Sequence, residues 1–235
     1  MAQPVIPDFG QASDCVSENR TFCTDWVRDN WNPVLRPALV EHIELTVIAV
    51  VIGFAIALVA ALLAHRLRHV ERPFAIVSAV IYTIPSLALF QLLVPVTGLT
   101  VTTVEIALVG YTLLILFRNI LAGLRSAPPE VLEAARGMGL TGTQTLFRVE
   151  LPLALPAIVA GLRVAAVSTI ALATVAAFVV SQGLGVPILG ALPLNFKTEI
   201  IAAGTLAVGL AIVADGLLVV VQRLLTPWAY ARRTV

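Results

Sequence analysis

Residues 43–64 read IELTVIAVVIGFAIALVAALLA, a run with one charge, Glu44, at its very start. A hydrocarbon core of roughly 30 Å takes about 20 helical residues to cross, so this run is long enough. Lipid offers no water to the backbone N–H and C=O groups, so a crossing segment must pair them within itself as a helix or within a closed barrel. The run lacks the alternating apolar and polar pattern of a barrel strand, and it is therefore read as a transmembrane helix.

Outward from this run, four more apolar segments follow, near 74–96, 101–117, 157–180 and 200–221. The segment at 101–117 is the shortest, because its uninterrupted apolar part runs only from Ile106 to Phe117, between Glu105 and Arg118. It spans if Val101 to Val104 join it; a buried helix of the soluble type is the alternative there. Composition agrees with a lipid-immersed chain, at 59% hydrophobic and 12% charged residues. A net charge of +1 gives no electrostatic footprint for nucleic acid and no polybasic membrane tether. The expected fold class is an all-α membrane protein with five transmembrane helices.

Arginine placement sets the expected orientation, since Lys and Arg near span ends stay on the cytoplasmic side. Arg66, Arg68 and Arg72 lie in the first linker, Arg118, Arg125, Arg136 and Arg148 in the third, and Arg223, Arg232 and Arg233 after the last run. The loop near 97–100 has none, and that near 181–199 has only Lys197. The N-terminus is expected outside and the C-terminus inside, with residues 1–42 an extracytoplasmic extension, 43–221 the membrane domain and 222–235 a cytoplasmic tail. Arg20, Arg28 and Arg36 in the extension are offset by Asp8, Asp14, Glu18, Asp25, Asp29, Glu41 and Glu44. The extension lacks the basic start and apolar run of a cleavable signal peptide. Trp26 and Trp31 suit a surface helix at headgroup level, with Thr24 or Asp25 as its cap. Cys15 and Cys23 are the only cysteines. An oxidising compartment would let them pair, but spacing alone leaves a disulfide and two free thiols equally open.

The polar stretch between the third and fourth runs, residues 126–156, reads SAPPEVLEAARGMGLTGTQTLFRVELPLALP. Pro128, Pro129 and Glu130 fit a helix start, where proline is tolerated and an acid meets the positive end of the helix dipole. That helix is expected to run to Met138 and stop at Gly139, which takes the left-handed conformation at little cost. Thr141 followed by Gln144 is a capping-box pattern that opens a second helix, expected to end where Pro152 interrupts it. The result is a compact elbow that another protein's groove could grip, with small Ala134 and Ala135 permitting close approach and Glu133 and Arg136 supplying polar contacts. A plain solvated connection is the alternative on the residues alone.

Glu133-Ala134-Ala135, Gly139, and Leu151-Pro152 preceded by Val149-Glu150 resemble the EAA signature of the membrane subunits of bacterial ABC importers. The one departure is Val149 in place of the usual isoleucine. Tyr82 to Leu89, Leu116 to Asn119, Glu150 to Pro156 and Gln182 to Gly185 resemble, more narrowly, permeases for glycine betaine, carnitine, choline and proline. Only residues 1 to about 40 fall outside the likeness. The resemblance implies a type I ABC importer permease fold in the bacterial cell membrane, and a coupling segment at 126–156, its helix near 130–138, whose Glu133, Ala134, Ala135, Arg136 and Gly139 meet the ATPase. It also implies two copies of that ATPase, a second permease subunit of the same or another polypeptide, and an extracytoplasmic solute-binding protein. ATP and Mg would sit on the ATPase, with no cofactor on this chain.

The residues themselves are consistent with a chain that hydrolyses nothing. A phosphate-cradling loop needs Gly-x-x-x-x-Gly-Lys-[Ser/Thr], yet around the single lysine, Lys197, Ala191 and Phe196 stand where the glycines belong. His42, His65 and His69 are scattered, and neither a catalytic nor a metal constellation is expected. Candidates for the pathway or its hinge are the polar and helix-breaking residues within spans: Tyr82, Pro85 and Ser86 in the second, Ser168, Thr169 and Thr174 in the fourth. Pro85 is expected to kink a continuous second span near its middle. The hydroxyls could instead bond back to their own helix. Arg163 and Asp215 are a candidate intramembrane pair, and Glu105 could face the entrance or sit among headgroups. Tyr82, Phe90, Tyr111, Phe117 and Phe178 look too scattered for an aromatic cage. Two other readings stay open: a permease for another small solute such as an amino acid, and a secondary transporter acting alone, for which the internal repeats and intramembrane ion ligands are missing from the sequence.

Overall fold

In a computed structural model, residues 14–227 are described, and every element among them is helical. Residues 1–13 and 228–235, which hold part of the expected extension and the tail arginines Arg232 and Arg233, lie outside the described residues.

Two short helices, α1 (Asp14–Ser17) and α2 (Thr24–Asp29), precede α3 (Arg36–Arg66), which a wider π turn at Trp31–Leu35 extends backward. The first long helix thus begins well before the apolar run at Ile43. The wider turn explains how: Pro37 follows directly on it, so the turn absorbs the hydrogen bond that the proline cannot make. Cys23, and neither Thr24 nor Asp25, occupies the N-cap of α2. Its N–H donates to Thr198 Oγ1 at 3.1 Å, so the cap position is fixed by a tertiary contact instead of a local side chain.

Beyond α3 come α4 (Arg68–Thr83), α5 (Ser86–Thr97) and α6 (Val101–Leu124). The expected kink in one second span is instead a full break, because α4 and α5 meet at 103°. Pro85 has no N–H to continue the ladder and pushes Ile84 out of the helical region, to φ −70° and ψ 130°. Among the described residues, four helices are long and apolar enough to cross a membrane, and the broken pair α4–α5 makes a fifth span if counted as one. Val101 to Val104 do join α6, which makes it long enough to cross.

The elbow helix α7 (Pro129–Gly137) and α8 (Gly142–Thr145) lead through a π turn at Leu146–Glu150 into α9 (Leu151–Val175). Pro152 does not end the second elbow helix as expected: Gly142–Phe178 runs as one long helix, and the wider turn just before Pro152 absorbs the lost hydrogen bond. Short α10 (Gly185–Ala191) and long α11 (Lys197–Leu225) complete the chain.

Helix α6 is the axis of the bundle, packed by α3, α4, α5 and α9. Without a hydrophobic force between helices in lipid, close packing of small residues holds them together. Ala57, Ala61 and Ala64 of α3 accordingly face Leu116, Phe117, Ile120 and Leu124 of α6 and Ala154 and Ile158 of α9. A second cluster joins Leu45 and Ala49 to Phe90, Leu108, Tyr111 and Ala173. Helix α11 packs on α9 and α10 and leaves Val208, Ile212, Val213, Leu217 and Leu224 exposed, an apolar face suited to lipid or another subunit.

The N-terminal segment docks on the start of α11. Cys15 and Cys23 are bonded, Asn19 Nδ2 donates to Asn195 O at 2.8 Å, and Trp26 meets the Phe196 ring edge-on at 5.2 Å. Trp26 is thus packed against protein, while Trp31 stays exposed. His42, one of the seemingly scattered histidines, is wholly buried. It accepts the Leu184 N–H at Nδ1, which leaves Nε2 to donate to Ile170 O at 3.0 Å, while the neighbouring Glu41 accepts the Gly183 N–H. These bonds staple the loop before α10 to the start of α3.

Candidate functional site: an elbow and a cavity

The elbow is built almost entirely from local chemistry. Glu130 lies in the first turn of α7 and Arg136 in its last, so both complement the helix dipole. At the end, Gly139 N–H donates to Arg136 O at 2.9 Å and Leu140 N–H to Ala135 O at 3.1 Å. Those two bonds form a Schellman motif, and they require the left-handed Gly139, whose φ is +80°. Immediately after, Thr141 Oγ1 accepts the Gln144 N–H while Gln144 Oε1 accepts the Thr141 N–H, a complete capping box. A helix stop and a helix start therefore abut with one residue between them, and the corner is stiff for that reason.

On this frame Glu133, Ala134, Arg136 and Gly139 are exposed, and Ala135 is buried. The exposed face also carries Val131 and Met138, the latter 73% exposed. Three side-chain links join the elbow and its flanks to the bundle. His65 Nε2 lies 2.9 Å from Glu150 Oε2, Arg66 donates to Thr143 Oγ1 at 3.1 Å, and Arg125 makes a two-pronged ion pair with Glu71 at 2.7 and 3.0 Å. None of these links is readable from sequence, since their partners come from linkers far apart in the chain.

The second feature lies at the break between α4 and α5. A cavity of about 460 Å³ opens there, lined by Tyr82 to Ser86, by Tyr111, Thr112 and Ile115 of α6, and by Ala165, Ser168, Thr169, Ala171 and Leu172 of α9. The structure thus brings Tyr82, Pro85, Ser86, Ser168 and Thr169 around one space. Thr174 is not part of the lining and bonds back to Ala171 O. Thr169 also bonds back, to Ala165 O. Tyr111, which sequence reading set aside with the scattered aromatics, meets the Tyr82 ring at 6.0 Å and gives its hydroxyl to the Ile84 carbonyl. That carbonyl is freed by the helix break, so the tyrosine satisfies it where the backbone no longer can.

Nearer the elbow end of α9, Arg163 binds Asp215 of α11 through Nε to Oδ1 at 2.7 Å and Nη2 to Oδ2 at 2.9 Å. The planar fork of the guanidinium suits the carboxylate, and the pair ties α9 to α11, which are also joined where Gln222 Nε2 donates to Pro156 O at 3.5 Å. Both Glu105 carboxylate oxygens are buried without a hydrogen-bond partner among the described residues. Among the described residues, no group of three or more His, Cys, Asp or Glu is placed to hold a metal ion.

Known proteins with the same pattern cover nearly the whole membrane region. The model of the family described as binding-protein-dependent transport system inner membrane component matches residues 34–229. The choline transport system permease protein OpuBB of Bacillus subtilis (strain 168) is 36% identical over 188 residues, covering 80% of this chain and 86% of that protein. The glycine betaine/carnitine/choline transport system permease protein OpuCB of the same organism is 34% identical over 188 residues, with the same coverage. A chain from an inward-facing crystal form of the MetNI methionine ABC transporter superposes with a TM-score of 0.74 over 84% of this chain and 99% of its own, at 20% identity.

Proposed function

The chain belongs to the family of binding-protein-dependent transport system inner membrane components, and from that premise we propose that it is the permease subunit of an ATP-driven importer for compatible solutes such as glycine betaine, choline, carnitine or proline. The observation that carries this reading is the identity, at 34–36% over four fifths of the chain, with permeases for choline and for glycine betaine, carnitine and choline.

The elbow supports the mechanical half of the reading. In it, the elbow lies on the cytoplasmic face and the N-terminus outside, where an oxidising compartment keeps Cys15 and Cys23 paired. Two ATPase subunits, which bind ATP and Mg, close on ATP and carry α7 with them. The stiff corner at Gly139 passes the stroke to α9, while the links from His65, Arg66 and Arg125 carry it to α3, α4 and α6. The bundle, paired with a second permease subunit of the same or a different polypeptide, then opens outward to a loaded solute-binding protein, and hydrolysis resets it.

The test is uptake by the complete importer in proteoliposomes, with labelled glycine betaine competed by choline, carnitine, proline and a panel of other amino acids. ATP-dependent uptake competed by the methylated solutes supports the reading. Uptake that only the other amino acids compete, or uptake that proceeds without the ATPase, contradicts it.

A further inference from the structure

The cavity at the α4–α5 break has a chemical character that its size alone does not convey. Its volume of about 460 Å³ falls within the range of small-molecule sites, roughly 300–1,000 Å³. Not one of its lining residues carries a charge. A compact cation, whether a metal ion or a primary ammonium, would have no carboxylate there to replace its water. A quaternary ammonium is different: its charge is diffuse, its hydration weak, and it is held by aromatic faces.

Two aromatic rings line the cavity. Tyr82 and Tyr111 are set at 69° to one another with centroids 6.0 Å apart, which makes a corner of aromatic surface in which Tyr82 is the exposed ring and Tyr111 the buried one. Most hydroxyls around the cavity are already engaged, since Thr83, Thr112, Thr169 and Tyr111 each donate to a backbone carbonyl. Ser86 and Ser168 make no hydrogen bond within the described residues, and both line the space. They are the donors left for a polar tail.

We propose that this cavity is the permease's own solute site, in which Tyr82 and Tyr111 hold a quaternary ammonium head and Ser86 and Ser168 hold the carboxylate or hydroxyl tail of the same molecule. The proposal rests on the compatible-solute reading above and adds that the membrane subunit itself selects for methylated nitrogen. Because Tyr111 also satisfies the Ile84 carbonyl, the ring that recognises the head is the ring that holds the break, so occupancy and the shape of the α4–α5 joint are linked.

Equilibrium binding of radiolabelled glycine betaine to the assembled permease–ATPase complex in nanodiscs, without the binding protein, tests this. The expected result is weak, saturable binding that unmethylated glycine does not compete. Tyr82→Phe keeps affinity within about twofold, whereas Tyr82→Leu loses about tenfold, since the head depends on the ring face. Ser86→Ala together with Ser168→Ala weakens glycine betaine more than tetramethylammonium, which has no tail. Absence of saturable binding, or equal affinity of Tyr82→Leu and the unaltered chain, overturns the proposal. If the complete importer takes up glycine betaine while the complex binds none, the site falls and the transport reading stands. If the importer carries none of the methylated solutes, the reading beneath it falls as well.

Discussion

His65 and Glu150, 85 residues apart in sequence, meet with Nε2 2.9 Å from Oε2 and join the end of α3 to the turn that follows the elbow. Their side chains are 21% and 13% exposed, so the contact is largely shielded from water. An elbow fixed only through its own chain could pivot; one fixed to α3 moves the bundle with it. Glu150→Ala removes the acceptor and leaves a shielded imidazole unpaired, at a cost of about 1–3 kcal/mol. Thermal unfolding of the purified permease–ATPase complex should show that loss, and Glu150→Gln, which keeps an acceptor oxygen, should recover most of it. A loss as large in Glu150→Gln as in Glu150→Ala would mean that the hydrogen bond is not what matters.

Gly139 is needed for its backbone conformation and not for space, because a Cβ built there meets nothing within 4 Å. Gly139→Ala should therefore cost only the left-handed strain, about 1–2 kcal/mol. Gly139→Asn should cost less, and Gly139→Pro should break the corner outright. ATP hydrolysis by the assembled complex checks this: stimulation by loaded binding protein should be lost in Gly139→Pro while membrane insertion persists. Normal stimulation in that variant would remove the corner from the mechanism.

Arg163 and Asp215 give a test by pairs. Asp215→Asn leaves the guanidinium without its carboxylate, whereas Asp215→Asn with Arg163→Gln removes both charges. The single variant should unfold at a lower temperature than the double. Equal or additive losses would argue that the two residues do not act as a pair.

Much of this molecule was open to a reader of its sequence where the determinant is local. The stop at Gly139, the capping box at Thr141 and Gln144, and the start near Pro128 and Pro129 each depend on residues within one turn, and the structure has all three. Apolar length marked the long helices for the same reason. The readings that failed depended on contacts across the fold. Pro85 announced a bend, but its 103° magnitude needs a partner for the freed Ile84 carbonyl, and Tyr111 lies on another helix. Pro152 looked like a stop because nothing nearby shows that a wider turn at Leu146–Glu150 can take up the lost bond. His42 looked idle because Ile170 and Leu184 are brought to it only by packing.

The contact between α3 and α6 depends on a single absent side chain. A Cβ at Gly53 would lie 1.9 Å from Thr112 Oγ1, whereas one at Gly204 or Gly209 of α11 meets nothing within 4 Å. Gly53→Val should therefore force the central helices apart and yield little monodisperse protein in detergent. Gly204→Ala and Gly209→Ala should behave like the unaltered chain in gel filtration. Tolerance of Gly53→Val would show that the two helices do not approach as closely as described.

In the proposed function, the exposed face of α7 seats in a nucleotide-driven partner on the cytoplasmic side. In a chain with Cys15→Ser and Cys23→Ser, which removes both native cysteines, Ala134→Cys supplies one exposed thiol on that face. The account predicts that a membrane-impermeant maleimide does not reach it from outside intact cells, and that in the assembled complex a short crosslinker joins it to the ATPase subunit in a nucleotide-dependent manner. Labelling from outside, or a thiol that crosslinks to no ATPase in any nucleotide state, would contradict it.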